Sequence, residues 1–161
     1  MVIKIEIWFV TELAIAIVTE IRPSAETGKV PLRTFITEIL LKARTSYNTL
    51  LVALYYLDNF DHLQQSPPEQ PSSLLLCGRK MFLAALILAS KYLQDATYNA
   101  RSWGKITGLE PRVINLTEIE FLKAVSWRIH IQKSDFNKWE EKKNLKPKLG
   151  CEKGNSACGE R

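Results

Sequence analysis

This sequence predicts an all-α domain of five helices, one of which is central and buried on every side. Three observations predict it. Residues Met81 to Ala89 are apolar without interruption, so a helix there has no solvent face and must be surrounded by others. Apolar residues recur at helical spacing in the segments on both sides of that run. No strand-like alternation joined by hairpin turns occurs between residues 31 and 130.

The opening stretch, MVIKIEIWFVTELAIAIVTEI, is apolar but interrupted by Lys4, Glu6, Glu12 and Glu20. No uncharged run in it approaches the ~20 residues of a membrane span. Its spacing alternates through Ile3, Ile5 and Ile7 and then turns helical. Residues 1–30 therefore read either as a helix docked on the body or as a segment foreign to the domain that follows.

The texture changes between Gly28 and Pro31. Leu32, Phe35, Ile36, Ile39, Leu40 and Ala43 mark the apolar face of a first core helix, and Pro31 suits its first position because the missing N–H would be unpaired there anyway. Thr45 or Ser46 can cap a second helix, with Leu50, Ala53, Leu54 and Leu57 on one stripe, running to about Phe60. DHLQQSPPEQPSS holds three prolines and no apolar period, which predicts a surface loop.

Ser72 or Ser73 is placed to cap the central helix, predicted to run through LLLCGRKMFLAALILASKYLQD to about Asp95. A short fourth helix, NARSWGKIT, stops at Gly108, a residue suited to a left-handed C-terminal cap. The fifth is predicted to start at Asn115, because Asn115 and Glu118 have capping-box spacing and Ile114 and Ile119 that of a hydrophobic staple. Leu122, Ala124 and Val125 continue it to about Trp127. An extended stretch follows, then a short helix capped by Ser134 or Asp135 and carrying Phe136 and Trp139. The expected organisation is an N-terminal segment 1–30, a helical domain 31–139 and a basic, disordered tail 140–161.

Composition narrows the function. The net charge of +5 is uneven: residues 138–161 hold seven Lys or Arg against four acids, and residues 1–137 hold fifteen against thirteen. A nearly balanced body argues against a phosphate-binding face and hence against nucleic acid as a partner. Cys77, Cys151 and Cys158 form no even framework and have no histidines at zinc spacing, while His62 and His130 stand alone. No phosphate-loop, dinucleotide, zinc-protease or serine-hydrolase motif occurs. The chain reads as a non-enzymatic regulatory or binding module, with no cofactor, no metal and no membrane partner. The cysteine usage fits a reducing compartment, and KKNLKPK is weakly like a nuclear import signal, so nucleus and cytoplasm are the expected locations.

Lys91 raises a question, because it interrupts the central helix while the chain is still apolar. Its stem can lie on apolar surface with the ammonium in water, where a cation also suits the helix C-terminus, or its charge can be kept for a partner.

MFLAALILASKYLQD and LTEIEFLKAVSWRIHI, preceded by TLLVALYYLDNF, resemble the cyclin box, the five-helix repeat of cyclins. Residues 31–139 follow its helix order. PLRTFITEIL, RTSYNTL and CGRKMFLAALILASKYLQD with YNARSW look most like the single-box fungal cyclins that partner the phosphate-regulatory cyclin-dependent kinase. The resemblance implies a regulatory subunit that binds and activates such a protein kinase and helps select its protein substrates. The alternative is a cyclin-fold scaffold or transcription-machinery module that activates no kinase.

Carried over, the resemblance puts Lys91 at the family's kinase-contacting lysine and Glu118 at its glutamate. An ammonium donates to carbonyls and a carboxylate accepts from N–H groups, so the two are suited to orient one surface on another. Glu118 has the competing explanation of the capping box. Tyr92, Leu93 and Phe121 lie near these charges as contact candidates, with ordinary core packing as their alternative. PLRTFITEIL stands where cell-cycle cyclins carry their M-R-A-I-L substrate-docking stretch, so docking by that route is not expected.

Overall fold

The computed structural model describes residues 2–22, 29–60 and 76–145. Seven helices occur among them: α1 (Val2–Ile21), α2 (Leu32–Lys42), α3 (Tyr47–Asp58), α4 (Gly78–Leu93), α5 (Ala100–Thr107), α6 (Pro111–Ala124) and α7 (Lys133–Lys142). No strand is present among the described residues, so the all-α expectation holds. Ser72, Ser73, His62, most of the proline-rich loop, Cys151, Cys158 and the tail beyond Leu145 lie outside them. The chain divides into two units, Met1–Ile129 with α1 to α6, and His130–Arg161 with α7.

The first unit is organised by α4. Every residue from Met81 to Ala89 is buried, and α4 packs on α3, α6 and α1. Burial ends with Ser90, whose hydroxyl donates to Leu86 O at 2.9 Å and so leaves no orphaned polar group in the helix. The helix is shorter than its apolar pattern: it starts at Gly78 after Cys77, whose side chain makes no cap bond, and it ends at Leu93. Arg79 fixes its start, donating to Val30 O and lying 5.3 Å from the centre of the Phe35 ring.

Helix α1 docks on the body. Val10, Ala14, Ile17 and Val18, a helical stripe, are buried, and α1 contacts α2, α3 and α4. The Arg33 guanidinium grips both Glu12 carboxylate oxygens, with Nη2 2.9 Å from Oε2, and sets the register of α1 on α2. The pair is partly exposed and contributes at most ~1 kcal/mol, so apolar burial holds the helix in place. No helix of the described residues is long and apolar enough to cross a membrane.

Several caps match their sequence signals. Ser46 Oγ accepts from Thr49 N at 3.2 Å at the start of α3, and Gly108 ends α5 in the left-handed region with φ 75°. Pro31 stands one residue before α2 rather than within it, and its carbonyl accepts from Phe35 N. Asn99 Oδ1 caps α5 through Ser102 N at 2.9 Å.

The start of α6 corrects the sequence reading. It begins at Pro111, four residues before Asn115, with Glu110 at the cap position. Proline at the first position lacks the N–H that would be orphaned there and has its φ preset for a helix, so this signal outweighs the Asn115–Glu118 spacing. Asn115 and Glu118 therefore lie inside the helix, and Glu118 has no capping role. Ile114 is buried while Ile119 is 41% exposed, so they form no staple. In the second unit Gln132, rather than Ser134 or Asp135, stands at the cap position of α7 without a side-chain cap bond, the Phe136 and Trp139 rings lie 5.7 Å apart, and the helix continues past residue 140 into the expected tail.

Truncating Leu86, fully buried at the middle of α4, to alanine is expected to lower stability by ~2–5 kcal/mol, whereas Leu116→Ala on the exposed face of α6 changes it by under ~0.5 kcal/mol. Urea unfolding followed by circular dichroism separates the two.

Candidate functional site

Lys91 lies where α4 leaves the core, one residue after Ser90. Glu118 reaches it from α6: Lys91 Nζ donates to Glu118 Oε1 at 2.5 Å. The two ends differ in exposure, 48% for the lysine side chain and 11% for the glutamate. A carboxylate so nearly buried requires a charged or hydrogen-bonding partner. Lys91 is that partner, and one of its three N–H donors is used in the pair. Its ammonium thus projects from apolar surface and holds a charge at the same time.

The surroundings sort the remaining candidates. Tyr92 and Leu93 are 39% and 45% exposed beside the pair. Tyr92 stands edge-on to Tyr56, with ring centres 6.5 Å apart. Phe121 is different: it is 1% exposed and packs on Phe60 at 5.2 Å, so it belongs to the core and offers no contact surface. The α6 period explains this, since Phe121 shares a face with Ile114, Thr117 and Val125, all buried.

One exposed residue, in the turn after α6, had no functional signal in the sequence. Trp127 is 62% exposed, and both it and Ser126 are left-handed, with φ 60° and 54°. Trp127 N donates to Leu122 O at 2.8 Å, closing α6 with a turn that needs no glycine. Two residues later Ile129 O accepts from the Tyr56 hydroxyl at 2.8 Å. The Trp127 turn, Tyr56 and Tyr92 are thereby linked, and the last adjoins Lys91. Leu116 and Ile119, 43% and 41% exposed, add apolar surface on the outer face of α6.

The cyclin family model matches residues 19–129, from within α1 to the end of the Trp127 turn. The chain belongs to the cyclin family. It is 35% identical over 105 residues to the G1/S-specific cyclin pas1 of Schizosaccharomyces pombe, covering 65% of this chain and 25% of that protein. It is 31% identical over 151 residues to PHO85 cyclin-5 of Saccharomyces cerevisiae, covering 86% of this chain and 65% of the relative. Cyclin-U4-3 of Arabidopsis thaliana is 25% identical over 122 residues, covering 73% of this chain and 54% of the relative. The chain thus spans between a quarter and about two thirds of the length of these relatives. The helix order of this cyclin agrees with the resemblance drawn from its sequence.

Burial, then the neighbouring Tyr92 and Tyr55, push the Tyr56 phenol above its ordinary value of 10.0. An acid raised on folding binds its proton more tightly in the native state, so its contribution is intact below pH 10 and is lost as pH rises beyond that value. Tyr56→Phe is expected to lose ~1–3 kcal/mol near pH 8, because Ile129 O is left without its donor. The variant should also lose the part of the alkaline instability that Tyr56 causes, so the stability gap to wild type narrows between pH 9.5 and about 11. Urea midpoints across that range check both statements.

Proposed function

We propose that this cyclin is a non-catalytic regulatory subunit that binds and activates a cyclin-dependent protein kinase of the phosphate-regulatory type and helps select its protein substrates. The observation that carries the reading is the Lys91–Glu118 pair, at the residues where the family resemblance puts its kinase contacts, with exposed Tyr92 and Leu93 directly after Lys91. One relative is named for PHO85, which supports a kinase of that kind.

The pair suits the task. In the free chain each charge satisfies the other, so neither is orphaned. A partner that offers main-chain carbonyls to the two remaining Lys91 donors and N–H groups to the Glu118 carboxylate adds charge-assisted bonds without first exposing a buried charge. The exposed aromatic and apolar side chains around it supply the area that charge alone does not, since a stable interface commonly buries ~1,600 Å² in total. Activation is then population shift: a surface that fits the kinase's regulatory helix better in its active position raises the share of that state. The chemistry stays on the kinase.

The test mixes a PHO85-type kinase with wild type, Lys91→Ala or Glu118→Ala, each checked for native circular dichroism, and reads binding and phosphorylation of a generic substrate. Wild type is expected to stimulate. Either substitution is expected to weaken binding more than tenfold, from the ~2–5 kcal/mol that loss of one member of a hydrogen-bonded charge contact costs. Binding without stimulation would assign the chain a scaffold role, and no binding by folded wild type would overturn the proposal.

A further inference from the structure

Helix α6 closes with one left-handed residue more than its closure needs. Helix α2 ends with Arg44 at φ 48°, followed by Thr45 N donating to Leu40 O at 3.1 Å, and α7 ends with Asn144 at φ 55°, followed by Leu145 N donating to Glu140 O at 2.9 Å. In each, a single left-handed residue brings the next N–H back to the carbonyl five residues before it. At the end of α6 Ser126, with φ 54°, fills that place, and Trp127 N makes the bond to Leu122 O at 2.8 Å. Trp127 is nevertheless left-handed as well, with φ 60°, where a bulky side chain is strained.

Strain of this kind persists only where the surrounding structure imposes it, and it points from geometry to function. One bond reaches the turn from another helix: the Tyr56 hydroxyl of α3, 73 residues away in sequence, donates to Ile129 O at 2.8 Å. Tyr56 is 1% exposed, so its hydroxyl needs an acceptor inside the protein. Ile129 N donates in turn to Trp127 O at 3.0 Å, which joins the pinned carbonyl to the strained residue. The Tyr56 ring also stands edge-on to Tyr92, the residue after Lys91. One buried side chain thus touches both the end of α4 and the turn that follows α6, the helix that carries Glu118.

We infer, on the function proposed above, that Tyr56 is a positioning residue for the kinase-binding surface: its hydroxyl pins the turn after α6, and the pinned turn keeps Trp127 exposed as an apolar anchor for the kinase. Tyr56 is buried and meets no partner itself, so it acts through Trp127, which is 62% exposed. Tryptophan is a favoured hot-spot residue of protein interfaces, and one fixed before the partner arrives adds its contact area with little ordering left to do. Without the hydroxyl the turn relaxes toward unstrained backbone, and a smaller share of the free chain has Trp127 in place.

The test reads the affinity of the full chain for an immobilised PHO85-type kinase, beside amide hydrogen exchange of the free chain followed by NMR. Tyr56→Phe, which keeps the ring, is expected to bind about fivefold more weakly than wild type, and Trp127→Ala more than about tenfold. The double variant is expected to bind no more weakly than Trp127→Ala alone, because Tyr56 acts through that side chain. Ile36→Val, buried in α2, which packs on α1 and α5, also lowers stability but is expected to keep wild-type affinity, so general destabilisation is told apart from positioning. In the free Tyr56→Phe chain the Trp127 amide is expected to exchange about fivefold faster, while that of Gly108, in the turn closing α5, exchanges as in wild type. Unchanged exchange at Trp127 would overturn the pinning. Wild-type affinity of Tyr56→Phe or Trp127→Ala, or additive losses in the double variant, would overturn the positioning role and leave the proposed function standing. No binding by folded wild type would overturn both.

Discussion

Nine consecutive buried apolar residues in α4 are the constraint on which the rest of the first unit depends. A helix with no solvent face cannot satisfy itself: it needs apolar partners around its whole circumference, and α3, α6 and α1 are those partners. The neighbours can in turn be amphipathic, because each covers only one sector. That holds for α1 and α6; α3, buried without a break from Thr49 to Leu54, is covered by both α4 and α1. The same constraint restricts where charge appears. Arg79 and Lys80 precede the buried run and Lys91 follows it, and Arg79 and Lys91 are each fixed by a partner.

The Lys91–Glu118 pair is a consequence of that geometry. Glu118 is on the edge of the buried face of α6, where an unpaired carboxylate would be costly, and Lys91 emerges from the core opposite it. As a half-exposed contact the pair adds little to stability. Its physical merit is directional: it holds an ammonium and a carboxylate in one place at a rim of exposed apolar side chains, ready oriented before a partner arrives.

Much of this was legible in the sequence, for identifiable reasons. Unbroken apolarity from Met81 to Ala89 depends on composition alone, so burial of α4 followed directly from it. The Ser46 and Gly108 caps were legible because a side-chain acceptor and a left-handed glycine are chemically specific. The start of α6 was misplaced because two local signals competed, and proline's covalent restriction of φ prevailed over a hydrogen-bonding preference. Phe121 fell to the core because helical period outranks proximity in sequence. Trp127 and Arg44 were invisible for a common reason: each occupies a left-handed position without being glycine, so the backbone there is set by the surrounding turn.

Those two residues bear on how the surface is arranged. The residue just past the end of α4 reaches the start of α3. Gln94 Nε2, just past α4, donates to Thr49 Oγ1 at 3.3 Å, and Thr49 Oγ1 lies 2.8 Å from Ser46 Oγ, two residues after Arg44. A short chain of polar contacts therefore connects the residue three positions after Lys91 with the turn that holds Arg44.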